Sequence, residues 1–275
     1  MGLGGLNHML KRMAAVLAVG FATLQMPGPA QAADALALKV LGFSPDGRYF
    51  GFVQYGALAD AGQYLAETYV IDTSRDRYVS GAPVRTKTEP EDDKGMDKEV
   101  RAVLAKNAKS AAGLIGQYKL SASGKVLAQV KEAHAGQWES GEDLPKPSVG
   151  AKNVAAKHAQ LGELNLKLEI KELPWPKTSK LGSHKEAGSC ADEVDWQKGA
   201  GFRLTLERGG RTIVLNDDNT IPASRHCVSG YGIAEVHAFD RPDGKVTLAI
   251  ILGMNNRGFE GEDRVFLAVT KVLDR

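Results

Sequence analysis

Apolar and polar positions alternate with a period of two through much of this chain. Leu166, Leu168 and Ile170 are separated by Lys167 and Glu169, and Phe202, Leu204 and Leu206 by Arg203 and Thr205. That spacing sends one row of side chains to a core and the other to solvent, and it predicts half-buried strands. A second pattern is the apolar stretch broken by a tight turn. Val40, Leu41 and Phe43 precede Ser44-Pro45-Asp46-Gly47, and Tyr49, Phe50, Phe52 and Val53 follow it. Proline presets φ at the first central position, aspartate suits the second, and glycine accepts the left-handed conformation next, so the segment predicts a hairpin. Thr68–Ile71 supplies a third strand, and Ser74–Arg77 turns into Tyr78-Val79.

The same arrangement recurs near the C-terminus. Arg241-Pro242-Asp243-Gly244 precedes a near-continuous apolar run, Val246 to Leu252, which predicts a central strand covered on both faces. A glycine-rich loop and Val265–Val269 follow. Asp46 lies 23 positions before Tyr69, and Asp243 lies 23 before Phe266, as expected of a degenerate duplication. Ser121–Gly124 before Lys125-Val126-Leu127 is a weaker third copy. Phe202–Leu206 turns through Glu207–Arg211 into Thr212–Leu215. One segment breaks the strand pattern. Val100, Val103, Leu104, Ala108, Ala111 and Ile115 repeat at helical spacing over Asp97–Gly116, with Asp97 as the expected N-cap and a sheet as the expected partner of the apolar stripe. Segments 80–96 and 134–160 are rich in Gly, Pro and charge and read as loops. The expected fold is therefore mainly β. Antiparallel sheets built from hairpins, sandwich-like or as a degenerate propeller, carry one amphipathic helix packed on a sheet.

Composition changes this picture only at the N-terminus. The 275 residues are 43% hydrophobic and 25% charged, with a formal charge of +2; such a chain buries a core and is neither disordered nor a disulfide-packed miniature. Lys11 and Arg12 are the only charged residues before Asp34, an apolar run covers Met13–Met26, and Ala30-Gln31-Ala32 closes the segment. This order is that of a cleavable signal peptide over 1–32, leaving one domain over 33–275 in the Gram-negative periplasm or outside the cell. The apolar run is too short for a membrane span, which needs about 20 residues, so no stable insertion is expected after cleavage. Both excess positive charges leave with the signal. The formally neutral remainder gives no footprint for nucleic acid.

Candidate chemistry is sparse. Cys190 and Cys227 meet an oxidising compartment as an even pair, which favours a disulfide; a metal site with His184 and His226 is the alternative, although the spacing matches no paired Cys-x-x-Cys pattern. No Gly-x-Ser-x-Gly elbow, His-Glu-x-x-His, phosphate loop or dinucleotide fingerprint occurs in the sequence. Two loops are dense in oxygen donors: Asp217, Asp218 and Asn219 in one, Glu260, Glu262 and Asp263 in the other. Brought together they would hold Ca²⁺, which takes six to eight oxygens, or act as paired acid and base; apart, they are solvated turn-formers. No other cofactor is expected. Arg225, beside Cys227, is a candidate anion contact.

Two resemblances follow from these pieces. Phe43–Val53, ending at Tyr69-Val70-Ile71-Asp72, resembles one blade of the propeller repeat of periplasmic TolB-like proteins. More broadly, Leu41–Ser44 with Asp46–Arg48, Tyr69–Thr73, Cys190, Gly201–Leu204, Asp218–Cys227, Tyr231–Ile233, Gly258–Asp263 and Ala268–Thr270 follow one another as in a bacterial family of predicted secreted proteins, domain of unknown function 2259. That resemblance implies export and paired cysteines, and it carries no activity. The expected function is a non-catalytic binding or envelope-supporting role for an envelope protein or small ligand. An envelope hydrolase or Ca²⁺-binding protein using the acidic loops is the alternative. N-terminal sequencing of the exported chain should begin at Ala33; retention of Lys11 and Arg12 would mark an uncleaved anchor.

Overall fold

The short turns and alternating rows resolve into three antiparallel sheets. A computed structural model describes residues 35–58, 62–90, 95–134, 148–175, 190, 198–257 and 262–275, with only the backbone of Glu262. The expected signal peptide over 1–32 lies outside them. The first sheet is a meander of β1 (Ala37–Phe43), β2 (Tyr49–Leu58) and β3 (Gln63–Asp72). Along the outer side of β3 run β4 (Arg77–Tyr78) and β5 (Val84–Thr88), each pairing a different stretch of that strand. After the helix α1 (Met96–Gln117) comes β6 (Lys125–Gln129). A second sheet has β7 (Asn153–His158), β8 (Gly162–Pro174), β9 (Lys198–Arg208) and β10 (Arg211–Asp217) in spatial order β10-β9-β8-β7. The third has β11 (Val228–Asp240), β12 (Val246–Arg257) and β13 (Glu262–Leu273), with β6 on its far side, in order β13-β12-β11-β6.

The third sheet lies between the other two. Along β12, Leu248, Ile250 and Leu252 join a core with Leu164, Leu166, Phe202, Leu204 and Leu206 of the second sheet. The alternate residues Ala249 and Ile251 join a separate core with Phe43, Phe50, Phe52 and Ile71 of the first sheet. Every residue from Val246 to Leu252 is essentially inaccessible, so the unbroken apolar run is a strand buried on both faces. Each fully buried aliphatic or aromatic side chain contributes roughly 1.5–3 kcal/mol. Two glycines let the chain approach this sheet. A Cβ on Gly232 or Gly253 would collide with the backbone of Gly150 or Val149, where the segment entering β7 crosses over it.

The two predicted meanders share their turns. Asp46 Oδ1 accepts the Arg48 N–H at 3.1 Å, and Asp243 Oδ1 accepts the Lys245 N–H at 3.1 Å. Their registers differ. Tyr69 faces Phe52, whereas Phe266 faces Gly253 rather than Ala249, the residue equivalent to Phe52. The longer ladder of β12 with β13 accounts for the slip. A closed propeller needs at least four blades, and the described residues form three stacked sheets, so the sandwich-like arrangement is the one found.

Several local expectations change. Segment 80–96 contains β5 and segment 134–160 contains β7, both read as loops because their charged residues hid a two-residue period. Ile170 is exposed at the end of its otherwise inward row, beyond the edge of the core. The helix cap falls two residues early, at Gly95, with Asp97 inside the first turn, where its charge suits the helix N-terminus. Its stripe packs on the outer face of β3 and β5, and the key contact is polar. Asn107 is fully buried; its amide donates to the Ala66 and Val84 carbonyls at 3.0 and 2.8 Å, and its carbonyl oxygen accepts from Thr68 Oγ1 at 2.5 Å. Asn107→Ala leaves these groups unpaired in a buried site and should lower unfolding free energy by about 2 kcal/mol in urea denaturation; a change within error would make the contact incidental.

Candidate functional site

A cleft of about 760 Å³ opens along the outer edge of β13, a volume in the range of small-molecule sites. One wall is the cleft-facing side of β3, β4 and β5. The opposite wall is the loop joining β10 to β11, from Asn216 to His226. The floor is largely apolar, with Leu65, Ile71, Met254, Val265, Leu267 and Val269.

The edge of β13 is capped by side chains where a neighbouring strand would lie. Gln54 is the inward residue following Phe50 and Phe52 on β2, and its Oε1 accepts the Phe266 N–H at 2.7 Å. Its amide donates to Glu67 Oε2 at 2.6 Å and to the Tyr69 hydroxyl at 3.0 Å. The Tyr69 hydroxyl donates to the same Glu67 oxygen at 2.8 Å, and Arg85 on β5 pairs with the other. Burial, reinforced by the Glu67 charge, pushes the Tyr69 phenol far above its ordinary pKa, so it stays protonated as a donor. Further along, Asp76 Oδ1 accepts the Thr270 N–H at 2.6 Å and its hydroxyl at 2.8 Å. At the other end, Leu36 donates its N–H to the Arg264 carbonyl at 3.1 Å. The Arg264 side chain is fully buried, contacts the Ser148 carbonyl at 3.1 Å and has its pKa lowered to about 10 by burial.

The opposite wall is held by one ion pair and one covalent bond. Arg225 meets Asp218 with contacts of 2.5 and 3.3 Å, donates to the Tyr231 hydroxyl at 3.2 Å and lies over the Phe202 ring at 4.8 Å. Asp218 also accepts the Phe202 N–H at 2.9 Å and the Asn216 amide at 3.1 Å. Tyr231 is buried, which pushes its pKa up to about 12 against the pull of Arg225. Cys190 and Cys227 form the disulfide, with Cα atoms 5.5 Å apart and both residues fully buried. It fastens the end of the loop at the start of β11.

The sequence-derived site residues are thus distributed. Asp217, on the edge strand β10 of the second sheet, lies beside Lys171 of β8 at 2.9 Å and Arg203 of β9 at 3.7 Å, and the Lys171 hydrogen bond lowers its pKa. Asp218 is buried in the Arg225 pair. Arg225 and Asp263 line the cleft, while Asn219 is exposed outside it. Glu260 and the Glu262 side chain lie outside the described residues, as does His184. Among the described residues no three His, Cys, Asp or Glu side chains gather as a metal site. Sequence reasoning missed Gln54, Glu67, Tyr69, Asp76 and Arg85. The available signal was polarity at inward positions: Gln54 extends the Phe50-Phe52 row, and Glu67 lies between Leu65 and Tyr69.

Layered antiparallel sheets with a ligand-sized cleft along the edge of β13 define a β-layered protein built around that edge. Residues 51–271 match the model of the family described as Predicted secreted protein (DUF2259), and the chain belongs to this family. No curated protein and no solved structure matches it. No helix among the described residues is long and apolar enough to cross a membrane.

Replacing both Cys190 and Cys227 by Ser should lower unfolding free energy by about 3 kcal/mol in guanidinium titration, through release of the denatured chain. Thiol labelling of the oxidised native protein should modify neither cysteine; modification of both would refute the bridge.

Proposed function

We propose that this protein binds a ligand in the cleft along β13 and performs no chemistry on it, acting in the Gram-negative periplasm or outside the cell. The observation that carries this reading is the cleft itself, with about 760 Å³ of space over an apolar floor. Pockets of this kind take ligands mainly by burying apolar surface, with a few placed polar groups fixing orientation. The carboxylates of Glu67 and Asp218 are already engaged. Glu67 is held by Gln54, Tyr69 and Arg85, and Asp218 by Arg225, Asn216 and the Phe202 amide. A general acid or base needs a lone pair or proton to spare for substrate, and these carboxylates are occupied in supporting the walls. The hydrolase and Ca²⁺ readings rest on the two acidic loops, of which Glu260 and the Glu262 side chain lie outside the described residues.

The test uses Nile red, a neutral apolar dye that brightens in apolar sites. One saturable dye site is expected on the native protein. Ser224→Trp, at an exposed position lining the cleft, should abolish it without shifting the melting temperature. Absence of saturable binding, or equal binding by the variant, would overturn the proposal.

A further inference from the structure

The cleft reading leaves the class of ligand open, and the β13 edge narrows it. The ladder of β13 with β12 runs from Glu262 to Leu273 without a register shift. In an antiparallel ladder the residues alternate between exchanging both backbone bonds with the partner strand and turning both groups away from it. Three contacts fix the phase. The Arg264 carbonyl, the Phe266 N–H and the Thr270 N–H all bond to groups outside the sheet: Leu36, Gln54 and Asp76. Ala268 shares their parity. Its N–H and C=O therefore also face outward, into the cleft that it lines, and neither has a partner among the described residues.

We infer that the cleft takes a short, extended, uncharged peptide segment that adds to the edge of β13 and pairs its backbone with Ala268. This rests on the binding reading above and names its ligand class. The two side-chain caps satisfy the N–H groups two residues to either side, so between them the Ala268 N–H is the outward donor, with its own C=O beside it in strand geometry. A ligand with an N–H and a C=O on one residue matches that pair, the recognition mode of strand addition. The row has already begun. Ala35 forms a parallel bridge with Arg264 and Leu36 bonds to it, so a bound peptide would extend an existing strand contact. Its side chains would alternate between the β3 wall and the Asn216–His226 loop, over the apolar floor.

Charge favours the same occupant. Glu67 is paired with Arg85 and Asp218 with Arg225. The other charged lining residues are Arg77 and Lys87 against Asp76 and Asp263, so the cleft is formally balanced. A neutral peptide backbone suits it better than an anionic headgroup.

The test titrates ¹⁵N-labelled protein with capped, uncharged pentapeptides carrying Val, Leu, Ala or Ser at the three central positions. The Ala268 amide signal should shift and its hydrogen exchange should slow. Methylating the central backbone nitrogen of the best binder should weaken it about tenfold, as expected for a lost backbone hydrogen bond. Ala268→Pro removes the outward N–H without breaking a ladder bond, a substitution edge strands tolerate, and should weaken the unmethylated peptide by a similar factor at an unchanged melting temperature. The methylated peptide on the native protein gives the same information should that variant fold poorly. Equal affinity of methylated and unmethylated peptides, shifts away from β13, or no peptide binding would overturn the inference. Saturable Nile red or dodecanoate binding without peptide binding would refute the peptide and leave the cleft reading standing; loss of all binding would remove both.

Discussion

Burial of the β11–β12 hairpin on both faces is the constraint from which the rest of the architecture follows. A sheet solvated on one face can satisfy its residues with water. One covered on both faces needs an apolar partner for every residue, and Val246–Leu252 meets that demand by sending alternate side chains to two distinct cores. The first sheet must then present Phe43, Phe50 and Phe52 to one face, and the second must present Leu164, Leu166, Phe202 and Leu204 to the other. With both faces covered, only the edges of this sheet remain for contact with anything else. One edge is taken by β6. The other is β13, and its treatment makes the cleft.

An open edge inside a layered β protein is hazardous, because unpaired backbone groups recruit another chain. Here the edge is blunted by side chains. Gln54 and Asp76 accept N–H groups that a neighbouring strand would have taken, and the Leu36 N–H satisfies one carbonyl. Each cap is supported in turn. Gln54 is fixed by Glu67 and Tyr69, and Arg85 balances the Glu67 charge. Buried networks of this type hold their geometry only when every member is satisfied. The wall of the cleft and the cap of the edge are therefore one structure, and disturbing Glu67 would act on the β13 backbone through Gln54.

Much of the scaffold was legible in the sequence for physical reasons. Period-two alternation and the two Pro-Asp-Gly turns identified the meanders, and an unbroken apolar run identified the doubly buried strand. Compartment and parity favoured pairing of Cys190 with Cys227. Strands whose outward residues are charged were harder: Val84–Thr88 and Asn153–His158 carry too few apolar residues to stand out from loops. The helix stripe was visible, but the residue that locks it, Asn107, is polar and gives no periodic signal. The cleft was least legible, because β2, β3, β5, β13 and the Asn216–His226 loop meet only through sheet stacking. The acidic loops drew attention by local density, which does not reveal that Asp218 is held in the Arg225 pair while Asp263 lines the cleft.

The loop opposite β3 and β5 has little regular structure, and its placement depends on interactions that are costly unless complete. A buried carboxylate or guanidinium loses hydration, and an ion pair restores it only with good geometry and further hydrogen bonds. Asp218 and Arg225 meet that condition through Asn216, the Phe202 amide, Tyr231 and the Phe202 ring. An apolar pair would fill the same space, but it would not direct the loop by fixed hydrogen bonds. The disulfide acts on the same segment from its far end. One tie thus fixes the Asp218 side of the loop and the other the Cys227 side, leaving Pro222, Ser224 and His226 between them to line the cleft. Two anchors on one short loop, facing a wall that caps the strand edge with its own side chains, hold the two sides of the cleft by independent means. The space between them is thereby maintained by the fold itself, with Ala268 at its base.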